Sequence, residues 1–488
     1  MVIDSIKTIK TENSSPQEIS LKELRQLNSK STHAFQLTLI DNHDILVCHT
    51  ILRILTGKRL VAFGRWGGKE VVAKIFYESY HAARHASRDY NGIKSLLDAA
   101  VLTPAIYYKG TAKNKHIHVL IFEKIKGTSL DHLWQTKKTI EELVTPLQAM
   151  SIELATQHVL GILQHDLHFK NFLLQKKNIY TIDGGAIEIF LKPLSKEKSM
   201  RNLALFFSQL GVGREKLFYL LYQTYAHARG WLVKEKDFIK IQKQIQHYQN
   251  SRWHQFRKKI MRTCSDFVCE KKFSQTKIYD RTHETPELLQ YLNQPDDMFI
   301  HGEILKAGRT TTVAKIRIAN KNYIIKRYNI KNSWHWLRRC LRPTRAVMGW
   351  IYGQRLRLLD IATSKPIAFI ENRFLGLRGT SYLLMEYIDG IDAGSYFANP
   401  HNADNQPNVA KKILFLFKKL EMIRTTHGDL KKTNILILDQ NPVLIDLDGM
   451  REHTSKLTLQ KTIKHEMKRF MQNWRDMPTI HEMFKNSE

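Results

Sequence analysis

The sequence predicts an α+β fold made twice: two tandem bilobal domains, each a small β-rich lobe followed by a helical lobe. Three observations predict it. A set of acidic and amide residues recurs once per half at a constant offset. The apolar patterning before each set reads as strands and then a helix. At 488 residues the chain has room for two separate cores.

The repeat lies in QHDLHFKNFLLQKKNIYTIDGG (164–185) and THGDLKKTNILILDQNPVLIDLDGM (426–450). Asp166 and Asn171 are five apart, as are Asp429 and Asn434; Asp183 follows Asn171 by 12 positions, and Asp446 follows Asn434 by 12. All three pairs are therefore offset by 263. Upstream, VLIFEKIKGTSL (119–130) parallels YLLMEYIDGIDA (382–393): an apolar strand, an acidic residue, then a glycine turn. Before these, VVAKIF (71–76) and NYIIKRY (322–328) are strand-like runs carrying Lys74 and Lys326. Apolar residues at helical spacing occupy 147–163 and 409–423. The expected organisation is a polar arm over 1–35, a first domain over 36–275, a polar join over 276–297 and a second domain over 298–488.

Composition narrows the function. Hydrophobic residues make up 43% of the chain, with no long Pro/Gly/Ser tract, which indicates a folded protein. No apolar run approaches the roughly 18–20 residues that cross a bilayer, and the opening MVIDSIKTIKTENSSPQEIS lacks the apolar core of a secretory signal. A cytoplasmic protein is expected. The four cysteines are scattered and read as free thiols. Basic residues number 76 against 46 acidic, a net charge of +30, and this calls for an anionic partner: nucleic acid, a membrane face or a phosphorylated glycan.

The repeated residues fit phosphoryl transfer from a nucleotide. That chemistry needs a lysine on the phosphates, a glycine turn that lets backbone N–H groups approach, Asp and Asn around Mg²⁺, and an Asp to take the acceptor's proton. Both halves present these parts in the order of a protein-kinase-like fold. In the second, Lys326 would hold phosphates, Asp429 would be the base, and Asn434 and Asp446 would hold metal. Lys431 could reach the transferring group, backbone near Glu386 and Tyr387 would meet adenine, and the turn with Gly302 and Gly308 would cover the phosphates. In the first half the equivalents are Lys74, Asp166, Asn171 and Asp183, with GRWGGKE (64–70) as the glycine loop. A zinc site at His165, Asp166 and His168 would leave the Asn and the distant Asp unexplained.

At YIIKRYNIK (323–331), LRRCLRPTRA (337–346), HGDLKKTNIL…LIDLDGM and RFMQNW (469–474), the second half resembles the bacterial lipopolysaccharide kinase family, which phosphorylates inner-core heptose and 3-deoxy-D-manno-octulosonic acid. The first half resembles the same superfamily more distantly. The resemblance implies an ATP- and Mg²⁺-dependent kinase acting on a sugar hydroxyl at the inner face of the cytoplasmic membrane. It also implies lipopolysaccharide core, or a related phosphorylated glycolipid, as partner. Departures are visible: Gln164 stands at the loop histidine, Asn202 at a position often acidic, Asp89 near the helix glutamate that pairs with the lysine, and Gly349–Trp350 at that place in the second half. Neither Asp183 nor Asp446 is followed by an A-P-E segment, which weighs against a peptide substrate.

The segment KNSWHWLRRCLRPTRA (331–346) sets Lys331, Arg338, Arg339, Arg342 and Arg345 among Trp334 and Trp336. That composition suits an anionic membrane surface, and no nucleic-acid recognition motif accompanies it. The reading expected from sequence is a tandem kinase-like enzyme of envelope glycans. The alternatives are an atypical Ser/Thr/Tyr protein kinase and a tandem pseudokinase scaffold.

Overall fold

The computed structural model describes residues 16–27, 34–41, 43–78, 80–137 and 139–486. The chain forms two compact units, Met1–Ser208 with Glu215–Tyr248, and Gln209–Arg214 with Gln249–Glu488. The architecture is the expected one, α+β with a kinase-like bilobal arrangement in each unit.

In the first unit, strands Ile45–Leu55, Arg59–Trp66, Lys69–Phe76, His118–Glu123 and Ile106–Thr111 lie side by side in that order. Alternating burial along Arg59–Trp66 puts Leu60 and Ala62 inward, as period-2 patterning requires. Helix Ala82–Asp98 joins the third of these strands to the Ile106–Thr111 strand and packs Ala82, Ala86, Ile93 and Leu96 inward. The helical lobe is built on Val144–Val159, Lys196–Phe207 and Glu215–Ala228.

In the second unit, Glu303–Ala307, Thr311–Ile318, Lys321–Tyr328, Leu377–Glu386 and Pro366–Phe374 repeat the same strand order. Helix Arg345–Leu358 takes the equivalent crossover, begun by Thr344, whose hydroxyl accepts the Val347 N–H. Helices Gln406–Met422, Lys456–Gln472 and Pro478–Lys485 enclose a core in which Phe470, Trp474, Phe484 and Ile413 are fully buried.

The two sheets are extended at opposite edges. In the first unit, Gln17–Glu18 and Phe35–Thr38 add beyond Ile45–Leu55; in the second, Gln275–Asp280 and Phe267–Lys271 add beyond Pro366–Phe374. This corrects the expected boundaries. The described part of the 1–35 arm belongs to the first unit's core, where Leu24 is buried; 1–15 and 28–33 lie outside the described residues. The 276–297 join is strand and helix, with Tyr279, Leu288 and Leu292 in the second unit's core. Residues 249–275, expected in the first domain, also belong to the second unit, where Trp253 and Phe267 pack near Trp350.

Cys48 and Cys340 are buried free thiols, and burial pushes the Cys48 thiol up to about 12; Cys264 and Cys269 are free and partly exposed. Among the described residues no helix is long and apolar enough to cross a membrane, and no group of three His, Cys, Asp or Glu side chains could hold a metal ion.

Candidate active sites

The second unit brings its candidate residues together. Lys326 lies on the strand paired with both Thr311–Ile318 and Leu377–Glu386, which fixes its direction. Its ammonium meets the Asp446 Oδ1 at 2.9 Å. Burial alone would raise the Asp446 carboxyl, but the Lys326 ammonium, helped by Arg345, holds the group below its ordinary value. Asp446 sits in the left-handed region at φ 63°, uncommon for a residue with a side chain and frequent at functional turns.

The Asn434 Nδ2 donates to the Asp429 backbone oxygen at 2.8 Å and to its Oδ2 at 3.3 Å. That commits the amide nitrogen and leaves its oxygen for a cation. Asn434 Oδ1 and the Asp446 carboxylate are hard oxygen donors, the set that suits Mg²⁺. Asp429 is flanked by two cations, Lys431 at 2.8 Å and Arg469 at 3.3 Å. Beneath the loop, Glu466 accepts the backbone N–H groups of His427, at 3.2 Å, and of Gly428. His427 is fully buried and its Nε2 lies 3.0 Å from the Ile445 oxygen; burial lowers its pKa, so the ring is neutral at pH 7.

Sequence reasoning found no partner for Lys326 on the crossover helix, and Arg345–Leu358 carries no Asp or Glu. The helix contributes a cation instead: Arg345 Nη2 meets the buried Asp448 Oδ2 at 2.9 Å. Burial and the neighbouring Asp446 charge push the Asp448 carboxyl above its ordinary value, against the pull of Arg345.

The glycine turns sort differently. Gly308 lies in the turn between Glu303–Ala307 and Thr311–Ile318, at the end of the sheet nearer Lys326, which pairs with Val313. Its carbonyl accepts the Asn329 Nδ2 at 3.2 Å. Gly302 lies at the other end of that hairpin, the hinge end of the sheet where Ile316, Tyr323 and Glu386 are in register; an added Cβ would come within 2.5 Å of the Met298 oxygen, so it serves close packing. At the hinge, the Glu386 oxygen accepts the Ser364 hydroxyl at 2.5 Å and the Tyr387 N–H donates to the Asn322 oxygen at 3.2 Å. The Tyr387 N–H is thus already engaged, and the Glu386 oxygen keeps one lone pair for a ligand. Behind Lys326, the hollow bounded by Gly349, Leu383, Met385 and Asp446 holds about 10 Å³, the least that admits one water.

The first unit assembles the same parts with a different ion pair. Lys74 Nζ meets the Asp89 Oδ2 at 2.8 Å and Oδ1 at 3.1 Å, while Asp89 Oδ1 also accepts the Gly184 N–H at 3.1 Å. Burial would lower the Lys74 pKa, but Asp89 and Asp183 outweigh it and raise it. Burial likewise opposes ionisation of Asp183, yet Lys74, the Gly185 N–H at 2.9 Å, and the charges of Arg59 and Arg53 hold its carboxyl below the ordinary value. The Asn171 Nδ2 donates to the Asp166 oxygen at 3.0 Å, matching the second unit, and His168 Nε2 lies 3.1 Å from Asp166 Oδ1. The turn at 64–70 is misplaced as a phosphate loop. Gly67 and Gly68 join Arg59–Trp66 to Lys69–Phe76 at the end away from Lys74, which pairs with Val61 beside the Gly57 turn.

Two contributors escaped sequence reasoning. Glu466 and Arg469 are one helical turn apart on Lys456–Gln472, both facing the 427–429 loop. In the first unit Asn202, offset by 264 from Glu466, instead donates to the Gln164 oxygen at 2.7 Å. The carboxylate's double acceptance of loop N–H groups is replaced there by a single amide donation.

Residues 300–482 match the family model described as lipopolysaccharide kinase (Kdo/WaaP) family. No curated protein matches the chain. Among solved structures, it is similar to the bifunctional kinase-methyltransferase WbdD, at 17% identity and TM-score 0.29, over 38% of this chain and 47% of that one. The chain thus spans about half the length of that protein.

Proposed function

We propose, from a second unit carrying a lipopolysaccharide kinase (Kdo/WaaP) family domain over residues 300–482, that this unit transfers the γ-phosphoryl group of ATP to a sugar hydroxyl of lipopolysaccharide inner core or a related envelope glycolipid. The observation that carries the reading is the convergence of Lys326, Asp446, Asn434 and Asp429, drawn from segments more than 100 residues apart. In the proposed step the acceptor oxygen bonds to the γ-phosphorus, the bond from that phosphorus to the departing diphosphate breaks, and Asp429 receives the hydroxyl proton. Mg²⁺, held by Asn434 and Asp446, would neutralise phosphate charge. Lys431 and Arg469 flank the base, where they would hold the transferring group or an acidic substituent of the acceptor. The work would take place at the cytoplasmic face of the membrane that holds the acceptor. The Lys74–Asp89 pair supports nucleotide binding in the first unit as well.

The test is transfer to purified inner-core glycolipid, read as added phosphate by mass spectrometry. Asp429→Asn is expected to cost about 10²–10⁴-fold in rate while nucleotide affinity stays within a few-fold. Asp446→Asn should weaken Mg-nucleotide binding as well. Full transfer by Asp429→Asn, with loss in Asp166→Asn, would move the chemistry to the first unit. Phosphate appearing on peptides and not on glycolipid would favour an atypical protein kinase, and nucleotide binding without transfer a scaffold.

A further inference from the structure

The second unit exposes large apolar side chains at three places that adjoin one another. Phe273, at the turn between Phe267–Lys271 and Gln275–Asp280, is 73% exposed. Phe374 and Leu375, at the turn between Pro366–Phe374 and Leu377–Glu386, are 66% and 71% exposed. Trp334, Leu337 and Leu341, on and just after the short helix Ser333–Leu337, are 67%, 56% and 77% exposed.

These belong to one surface. The two hairpin tips are tied by the Arg373 N–H to the Ser274 oxygen at 2.7 Å, and by Gln275 Nε2 to Asn372 Oδ1 at 3.0 Å. The second tip is tied to the helical segment by the Arg378 guanidinium on the Leu341 oxygen at 2.8 Å. The Trp336 ring lies 6.4 Å from that of Phe374. The charged residues around these apolar tips are basic apart from Glu270, 39% exposed and paired with Lys277 at 3.0 Å. Lys271, Lys272, Lys331, Arg338, Arg339 and Arg342 are exposed, and none of the segments 271–279, 328–346 and 372–384 contains an Asp or Glu. Among the described residues, Arg338, Arg339 and Arg342 meet no carboxylate. Glu371, the acid beneath the patch, is 2% exposed and bound by Arg373 at 2.9 Å and Arg378 at 3.4 Å.

We infer that this face docks on an anionic lipid bilayer, with the tips Phe273, Phe374–Leu375 and Trp334 entering the headgroup region and the unpaired arginines and lysines meeting acidic headgroups. Isolated exposed apolar residues need no explanation, but six on adjoining protrusions within a predominantly basic field have the composition of an interfacial anchor. A protein partner would be expected to bring its own apolar surface to a concave or flat face; separate protruding tips suit a fluid one. The short helix alone was visible in sequence, and the two hairpin tips come from the fold. The inference rests on the surface and not on the kinase reading, and the experiment reads no phosphoryl transfer.

The test is co-sedimentation of the full chain with vesicles of phosphatidylcholine, with and without about one-third phosphatidylglycerol, across ionic strength. The acidic vesicles should bind the protein and lose it as salt rises from about 0.05 to 0.5 M. Arg338→Ala/Arg339→Ala/Arg342→Ala should weaken partitioning on the order of 100-fold, taking about 1 kcal/mol per basic residue near the surface. Phe374→Ser/Leu375→Ser should weaken it about tenfold with all charge retained, which keeps the test decisive if the arginine variant misfolds. Equal binding to neutral vesicles, no binding to either, or unchanged binding by both variants would overturn the inference. So would capture of RNA or an acidic protein by this face without vesicle binding.

Discussion

Arg345→Ala tests the contact that replaces the missing helix carboxylate in the second unit. The guanidinium meets Asp448 at 2.9 Å, with Asp448 buried and Arg345 about one-third exposed at 34%. Two unit charges centred about 4 Å apart attract by about 4 kcal/mol at an effective dielectric of 20. Solvent on the arginine side reduces this to about 2 kcal/mol. Removal leaves Asp448 buried beside Asp446, so the loss should appear in full as a fall of about 4–8 °C in melting temperature for a unit of this size. The assay is calorimetry of the full chain in a double-mutant cycle with Asp448→Asn, which deletes the stranded charge and should return most of the stability. The pH dependence has a definite sign. The Asp448 carboxyl is already raised above its unfolded value, and losing Arg345 raises it further, so the folded variant binds the extra proton. The penalty of Arg345→Ala should therefore be fully present where Asp448 is ionised in the folded variant, and shrink as falling pH protonates it. Additive single mutants, with a coupling under about 0.5 kcal/mol, would refute this account.

Two further outcomes follow from the first unit. A Cβ at Gly92 would lie 2.0 Å from the Gly184 oxygen, a backbone atom, so Gly92→Ala must separate the crossover helix from the Asp183 loop. A loss of about 1–3 kcal/mol is expected in denaturant unfolding, together with weaker nucleotide binding in that unit; an unchanged transition midpoint would contradict the close approach. His158 is buried between the Tyr225 hydroxyl at 2.7 Å and Asn202 Oδ1 at 3.0 Å, and burial depresses its pKa to about 4. Between that value and the ordinary 6.5 the unfolded chain binds a proton the folded unit does not, so stability falls as pH drops through this window. About 2 kcal/mol should be lost from pH 7 to 5, and His158→Gln should flatten the slope. A slope unchanged in that variant would assign the titration elsewhere.

The loops that carry Asp, Asn and Asp were legible because their spacing is local: a five-residue turn followed by a strand hairpin repeats faithfully at an offset of 263. The strand lysines were legible for the same reason. The join was misread because its polar residues signalled a surface linker, whereas in the strand Gln275–Asp280 those polar side chains are buried and paired. Lys277 reaches Glu270 at 3.0 Å and Asn293 at 2.8 Å, and Asp280 meets Lys365 at 3.0 Å. Composition cannot distinguish a solvated lysine from one satisfied inside. Gly67–Gly68 was misread because paired glycines with positive φ suit any tight hairpin; which hairpin overlies the lysine depends on sheet order. The helix partner of Lys326 could not be found because it does not exist as a carboxylate, and a search for an acid passes over an arginine.

That reversal gives the two clefts different electrostatics. In the first, Lys74 pairs with Asp89 from the helix, and Asp183 feels the charge of Lys74 and, more weakly, of Arg59 and Arg53. In the second, Lys326 is held by Asp446 itself and the helix adds Arg345 against Asp448: two positive and two negative groups, net 0. On the proposed reading, a nucleotide in the second cleft would compete with Asp446 for the Lys326 ammonium. The lysine of the second cleft is thus paired with the acid of its own loop, and that of the first with an acid of the crossover helix. The same fold reaches both arrangements by moving one charge pair across the face of one helix.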